Sequence, residues 1–136
     1  MKKSMFTFLA ASFGVLLAAA PLLSHHSFAA QYDGQKKVTL KGIVTKVEWM
    51  NPHAYFYINV TDTNGKVANW ALEMGALAGL QKQGWTRNTL HIGDEVIVNG
   101  SLAKDGSKLA NANSVVMAST GKKLGAASSG GDAQYQ

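Results

Sequence analysis

The chain has 136 residues and no cysteine, which excludes a disulfide framework, a thiolate metal site and a cysteine nucleophile. Its formal net charge is +5, and loss of Lys2 and Lys3 with a leader would leave 11 of the 13 basic residues against 8 acidic ones, about +3. This mild excess argues against a nucleic-acid-binding protein, which usually carries a strongly basic surface.

The N-terminus has the layout of a secretory signal peptide. Lys2 and Lys3 form a short positive start, an apolar run covers residues 5–23, and polar sequence follows at once. We predict that residues 1–24 are a signal peptide cleaved near residue 24. The mature protein would then be periplasmic or secreted, with no membrane attachment. The alternative is an uncleaved membrane anchor, because the apolar run approaches the length that spans a bilayer.

The position of the cut decides which group begins the mature chain. A cut after Ser24 makes His25 the first residue, whereas a cut after Leu23 gives the sequence Ser24-His25-His26. Residues 25–37 form a short polar segment, here called the N-terminal lead, which we predict to be flexible.

Two strands are predicted after the lead. The first runs from Val38 to Met50 and is rich in β-branched residues, and Gly42 interrupts its alternation, which indicates a bulge or a sharp bend. The second runs from His53 to Thr61 with alternating inward and outward side chains. Its inward residues are Ala54, Phe56, Ile58 and Val60, and its outward residues are His53, Tyr55, Tyr57 and Asn59.

A hairpin joins the second strand to a third. The inward residues of the third strand are Ala68, Trp70, Leu72 and Met74. Residues that face each other across a hairpin share a face, and the inward positions of both strands are even-numbered, so the loop must contain an odd number of residues. We predict a three-residue loop with Gly65 in the left-handed conformation. In this register Tyr55 lies opposite Glu73, and His53 lies opposite Gly75.

A short helix and a fourth strand follow the hairpin. Residues 76–83 lose the strand alternation, and Gly84 is a typical helix stop. The fourth strand begins at Asp94 and has a second bend at Gly100. Its inward residues are Val96, Val98 and Leu102.

A fifth strand, residues 109–117, completes the folded region, which we place at residues 38–118. Residues 119–136 are rich in glycine, alanine and serine, and we predict a disordered tail. The order of three strands, a helix and two strands is that of an OB-fold. We therefore predict an all-β, five-stranded OB-type barrel with one short helix between strands 3 and 4. The alternative is an open five-stranded meander capped by the helix.

The four histidines concentrate the chemistry of this sequence. His25 and His26 open the mature chain, His53 begins the second strand, and His91 lies in the connector before the fourth strand. Neutral imidazole is the commonest protein metal ligand, and a chain that begins at His25 adds its free amine. A nitrogen-only set suits copper(II) in tetragonal geometry and, less specifically, nickel or zinc. The cut before Ser24 favours the same metals, because it places His26 third in a square-planar chelate of amine, amides and imidazole.

The histidines lead us to predict a non-enzymatic exported protein whose partner is a metal ion or small ligand, with copper(II) as its metal. The metal ligands would be His25, His26 and His53. Glu73 is expected nearby, as an additional ligand or as a partner of a ligand. An alternative interpretation is that these histidines are solvated residues of a terminus and a turn.

A second hypothesis rests on the outward tyrosines of the second strand. Tyr55 and Tyr57 lie on the sheet face that OB domains use for ligands, beside Glu73, and could stack against an oligosaccharide or a peptide. Aromatic side chains are also ordinary on a half-exposed sheet. The sequence contains no G-x-S-x-G, no H-E-x-x-H and no glycine-rich phosphate loop, so we assign no catalytic residue.

Four strings of this sequence resemble a family of exported bacterial proteins. They are HHSFA at residues 25–29, VEWMNPH at 47–53, NWALEMG at 69–75 and GWTR at 84–87. Together they resemble domain-of-unknown-function family 6152, over about His25 to Met117. The resemblance implies an exported OB-like domain and supplies no established activity. The chain departs from the family at residues 76–79, where the start of the helix is less polar.

Export is directly testable. Mass spectrometry of the protein recovered from the periplasm should show a chain that starts within a residue or two of His25, because the apolar run and its flanks fit a cleaved leader. An intact chain from Met1 in the membrane fraction would reject cleavage.

Overall fold

The computed structural model describes residues 28–127, in which a helical segment at residues 28–31 precedes six strands and one helix. The strands are β1 (Tyr32–Glu48), β2 (Tyr55–Thr61), β3 (Val67–Glu73), β4 (Glu95–Ala103), β5 (Leu109–Met117) and β6 (Lys123–Gly125), and the helix is α1 (Leu77–Lys82). Within these residues no helix has the length and apolar character needed to cross a membrane.

Five of the strands close into a ring. β1 pairs antiparallel with β2 on one side and with β4 on the other, β2 pairs with β3, and β4 pairs with β5. Residues 71–73 of β3 pair in parallel with residues 109–111 of β5, and this pairing closes the ring. With α1 between β3 and β4, the architecture is the predicted OB arrangement, and the closing pair rules out the open meander.

Alternate side chains of the ring form one hydrophobic core. Phe56, Ile58 and Leu72 are fully buried, as their alternation predicts. Trp70 was also predicted in the core, but it is half-buried at the edge of this cluster, with the ammonium of Lys108 5.0 Å from its ring centroid. β3 pairs with β5 only from the residue after Trp70, so this side chain lies where the closed part of the ring ends.

The bulge in β1 lies beyond the predicted glycine. The register between β1 and β2 shifts at Thr45, which is the extra residue of the bulge. Gly42 has a different role, because a Cβ at this position would lie 2.5 Å from the carbonyl oxygen of Asn59. A glycine in a strand indicates either a bulge or a close backbone approach, and here it is the second.

The β2–β3 hairpin has the predicted register and loop. Tyr55 lies opposite Glu73. The amide of Asp62 donates to the carbonyl of Lys66 at 2.9 Å, which leaves three residues in the loop. Gly65 has a φ of 79°, the left-handed conformation that glycine adopts without steric cost.

Helix α1 forms at the predicted place, and its first turn is capped from outside. Ala76 offers no side-chain cap; instead, the amide of Leu77 donates to Oδ1 of Asn51 at 3.2 Å. Gly84, with a φ of 94°, follows the helix as its stop. The connection between β1 and β2 therefore supplies the polar group that the apolar start of the helix lacks.

In β4 the alternation shifts at Gly100. Leu102 was predicted to point inward, but it is half-buried, whereas Ser101 and Ala103 are buried. The register between β4 and β5 is irregular between Asn99 and Gly100, and such an irregularity reverses the face of every later side chain.

Both segments predicted to be flexible contain strand residues. β1 begins at Tyr32, inside the N-terminal lead, and pairs there with the end of β4. β6 lies inside the predicted tail and pairs with β5, and its Leu124 packs against the core. A three-residue strand among glycines and alanines leaves no periodic signal. Residues 1–27, which include the predicted signal peptide, and residues 128–136 lie outside the described residues.

The core assignment predicts a large difference between two neighbouring aromatic residues. Phe56→Ala should lower the free energy of unfolding by about 3–5 kcal/mol, because the ring is fully buried. Tyr57→Ala should cost much less, since its ring is partly exposed on the outer face. Urea unfolding of the two variants provides the comparison, and equal losses would contradict the assignment of faces.

Candidate functional site

The candidate site is built around Glu73, at the end of β3. Leu72 and Met74 on either side of it point into the core, so the alternation of the strand turns Glu73 to the outside of the ring. This carboxylate is nevertheless buried, with 4 % relative exposure. A buried charge is costly unless other groups bond to it, so the surroundings of Glu73 determine what this end of the sheet can do.

Three side chains bond to the Glu73 carboxylate. The hydroxyl of Tyr55, opposite it on β2, donates to Oε2 at 2.8 Å. The hydroxyl of Tyr32, at the start of β1, donates to the same oxygen. Nδ1 of His53 lies 2.6 Å from Oε1. We call Glu73, Tyr32, Tyr55 and His53 the Glu73 cluster.

The tyrosines of this cluster are held in the form that donates. Burial raises the pKa of the Tyr32 hydroxyl, and the hydrogen bond to Glu73 and its negative charge raise it further. The same causes, in the same order, raise the pKa of Tyr55. Both hydroxyls therefore keep their protons at neutral pH and can donate to the carboxylate.

His53 presents one ring nitrogen to Glu73. When Nδ1 carries the proton of this 2.6 Å bond to the carboxylate, a neutral ring has its lone pair on Nε2. The side chain of His53 keeps 39 % of its surface exposed. Imidazoles that bind metals usually donate their other N–H to a carboxylate or a carbonyl group, and His53 has this arrangement.

The N-terminal lead covers this cluster from one side. Tyr32 is 2 % exposed, and its ring centroid lies 5.4 Å from that of Phe28. The turn after β4 holds the segment before Tyr32, because the amide of Lys104 donates to the carbonyl of Gln31 at 2.9 Å and its ammonium donates to the carbonyl of Ala29. The burial of Glu73 outside the ring therefore depends partly on the lead.

Tyr57 belongs to a different cluster. Its hydroxyl donates to Oε2 of Glu48 at 3.0 Å, and Nζ of Lys46 pairs with Glu48 and lies 5.2 Å from the Tyr57 ring centroid. Burial raises the pKa of Tyr57, with a smaller contribution from Glu48. The hydrogen bonds from Lys46 and Tyr57 lower the pKa of Glu48. The two outward tyrosines therefore share a face, but each hydroxyl bonds to its own carboxylate.

The structure brings together three of the six side chains singled out in the sequence, namely His53, Tyr55 and Glu73. His25 and His26 lie outside the described residues. Between residues 28 and 127 no three histidine, aspartate or glutamate side chains gather closely enough to hold a metal ion, so this part offers His53 as one imidazole ligand with Glu73 behind it.

Sequence reasoning missed Tyr32. This residue lies in the segment predicted to be flexible, and it bonds to a carboxylate 41 positions away. The available signal was that two aromatic residues, Phe28 and Tyr32, lie four positions apart in a mostly polar lead, where large rings usually need a surface to pack against. His91, the fourth histidine, lies beside Asp94, with Nδ1 3.7 Å from Oδ2.

Comparison with solved structures finds the mitochondrial single-stranded DNA binding protein Rim1 of S. cerevisiae among the similar chains. The two chains share 9 % sequence identity and superpose with a TM-score of 0.48, over 61 % of this chain and 93 % of Rim1. No curated protein matches the sequence.

The family comparison agrees with the resemblance in the sequence strings. The model of a family of unknown function, DUF6152, matches residues 13–112, which is most of the chain and includes all four members of the Glu73 cluster. The chain therefore belongs to the DUF6152 family.

Proposed function

We propose that this protein is a non-enzymatic, exported OB-fold protein that binds a transition metal, copper(II), through His25, His26 and His53. The observation that carries the proposal is the 2.6 Å hydrogen bond between Nδ1 of His53 and the buried carboxylate of Glu73. It fixes the ring orientation and leaves Nε2 as the nitrogen that can bind a metal.

Glu73 acts in this proposal as the partner of a ligand. Oε1 bonds to His53, and Oε2 accepts from two tyrosine hydroxyls, so direct coordination would disrupt an existing contact. Hydrogen bonding to a carboxylate makes an imidazole a stronger ligand. Glu73 was expected to be either an additional metal ligand or the partner of a ligand, and these contacts favour the partner role.

The charge of the cluster also favours a cation. The ion-pair partner of Glu73 within residues 28–127 is His53, which is charged only when protonated. With an ionised Glu73 and a neutral imidazole, the cluster would carry one buried negative charge. Buried charges are normally paired or placed next to a metal, and a cation on Nε2 of His53 would compensate this carboxylate without displacing it.

The N-terminal lead makes the three-histidine set sterically reasonable. His26 lies two residues before Phe28 and His25 three residues before it, a reach of about 7–11 Å at 3.3–3.6 Å per residue. Phe28 packs on Tyr32, and Tyr32 bonds to Glu73. Because the lead is already packed from Phe28 onward, residues 28–32 add no ordering cost when the site closes.

The donor set selects the metal. Imidazoles and a terminal amine give nitrogen ligands only, and nitrogen sites bind copper(II) more tightly than the other divalent first-row metals. A cut after Ser24 supplies the amine and ring of His25. The cut before Ser24 places His26 third and gives a square-planar chelate, which suits the same ion.

Copper(II) titration of the processed protein tests the histidine set. His25→Ala and His53→Ala should each weaken binding relative to the wild type, because each removes a ligand, whereas the matched control His91→Ala should not. Isothermal calorimetry measures the affinities, after N-terminal sequencing has established where the chain begins.

The titration distinguishes the three-histidine site from its alternatives. Equally weak binding by the wild type and both ligand variants would exclude the histidine site and make the Tyr55/Tyr57 face, with an oligosaccharide or a peptide as its ligand, the better candidate. Loss of binding in His25→Ala alone would indicate a chelate of the terminus, with His53 serving the fold.

The proposed role of Glu73 predicts that copper(II) affinity falls when this carboxylate is changed, although no metal ligand is removed. Glu73→Gln should lower the copper(II) affinity by about 10–100-fold, the usual effect of changing a partner of a metal ligand. Glu48→Gln is the matched control, because it removes a carboxylate that accepts from Tyr57 on the same face. Equal affinities of the two variants would contradict the role of Glu73, and thermal melts would identify any loss of folding.

A further inference from the structure

Tyr32 connects the N-terminal lead to the end of β3. Its ring is buried against Phe28 in the N-terminal lead, and its hydroxyl reaches across to Glu73 at the end of β3. Glu73 in turn bonds to His53. A continuous path of contacts therefore runs from the lead to the imidazole.

We propose that Tyr32 is a positioning residue that couples docking of the N-terminal lead to metal binding at His53. This inference rests on the proposed function, because His53 is one of the proposed metal ligands. The protein with its lead docked is then the state that binds the metal. Docking raises the metal affinity of His53 by some factor, and bound metal favours docking by the same factor.

The geometry of the carboxylate gives the coupling its physical basis. Oε2 of Glu73 is shared by the hydroxyls of Tyr32 and Tyr55, while Oε1 takes Nδ1 of His53. A carboxylate held at both oxygens cannot turn toward one partner without weakening another bond. Undocking of the lead would withdraw one donor from Oε2 and expose the carboxylate to water, so the bonds that hold it against His53 would weaken.

The backbone contacts of residues 29 and 31 hold the lead to a different part of the molecule. Lys104 bonds to the carbonyls of Ala29 and Gln31, which holds the segment to the turn after β4. The hydroxyl of Tyr32 bonds the lead to Glu73. Removing this hydroxyl therefore breaks the bond to the Glu73 cluster and leaves the bonds to Lys104 in place.

Tyr57 provides a matched control on the same face. Like Tyr32, it donates its hydroxyl to a carboxylate, but that carboxylate is Glu48 on β1. Tyr57→Phe and Tyr32→Phe therefore each remove one hydrogen bond from a tyrosine hydroxyl to a carboxylate. Only the bond lost in Tyr32→Phe belongs to the Glu73 cluster. Both variants keep the aromatic ring and its packing.

Two measurements on the processed protein test the coupling. Hydrogen exchange followed by mass spectrometry, without metal, should show amides of residues 28–37 exchanging about tenfold faster in Tyr32→Phe than in the wild type, because a hydrogen bond to a charged acceptor is lost. Calorimetric titration with copper(II) should show an affinity lower by about tenfold. Tyr57→Phe should match the wild type in both, and added copper(II) should slow exchange of residues 28–37 in the wild type.

Each other outcome has a distinct meaning. Unchanged exchange in Tyr32→Phe overturns the anchoring role, and faster exchange with unchanged affinity overturns the coupling. Equal weakening of affinity by Tyr57→Phe would indicate a general effect of the outer face and also overturn it. If the wild type binds copper(II) no better than His53→Ala, the proposed function fails and the coupling with it, while the exchange data still show whether Tyr32 anchors the lead.

Discussion

The buried carboxylate of Glu73 joins β3 to two other segments of the chain, the start of β1 and the stretch that enters β2. Tyr32 comes from the start of β1, His53 from the connection before β2, and Tyr55 from β2 itself, and all three bond to this one side chain. An ionised carboxylate in a buried position is tolerated only when its oxygens are satisfied. The requirement fixes the position of the lead on the sheet and the orientation of the His53 ring, and these two features define the candidate site.

The closed ring explains why the site lies outside it. The interior is filled by side chains such as Phe56, Ile58 and Leu72, which have no exposed surface, and such apolar packing does not suit a charged group. A polar site must then form on the outer face, where water would normally surround it. The lead shields Glu73 from solvent at this position, so a buried charge exists on the outside of a small barrel.

Local periodicity was sufficient to predict most of the ring and part of the site. The parity of the inward positions predicted both the three-residue loop and the pairing of Tyr55 with Glu73, because each depends only on neighbouring strands. Positions that depend on distant backbone were not predictable in this way. The bulge at Thr45 and the shift at Gly100 are set by partner strands, and the bond from Tyr32 joins residues 41 positions apart. The bond between His53 and Glu73 was predictable only in part. The hairpin register indicated that the two residues lie close together, but it could not give the orientation of the ring.

The proposed site has a consequence for when it can form. Both oxygens of Glu73 accept hydrogen bonds within the cluster, so the described part of the chain contributes one imidazole, and one nitrogen holds a metal ion weakly. The remaining ligands must come from the residues before Phe28, and the strongest set includes the free amine of a new terminus. An uncut leader would replace that amine with a peptide bond and so remove one nitrogen ligand. On this proposal signal cleavage completes the ligand set, and the protein acquires its affinity for copper(II) only after export.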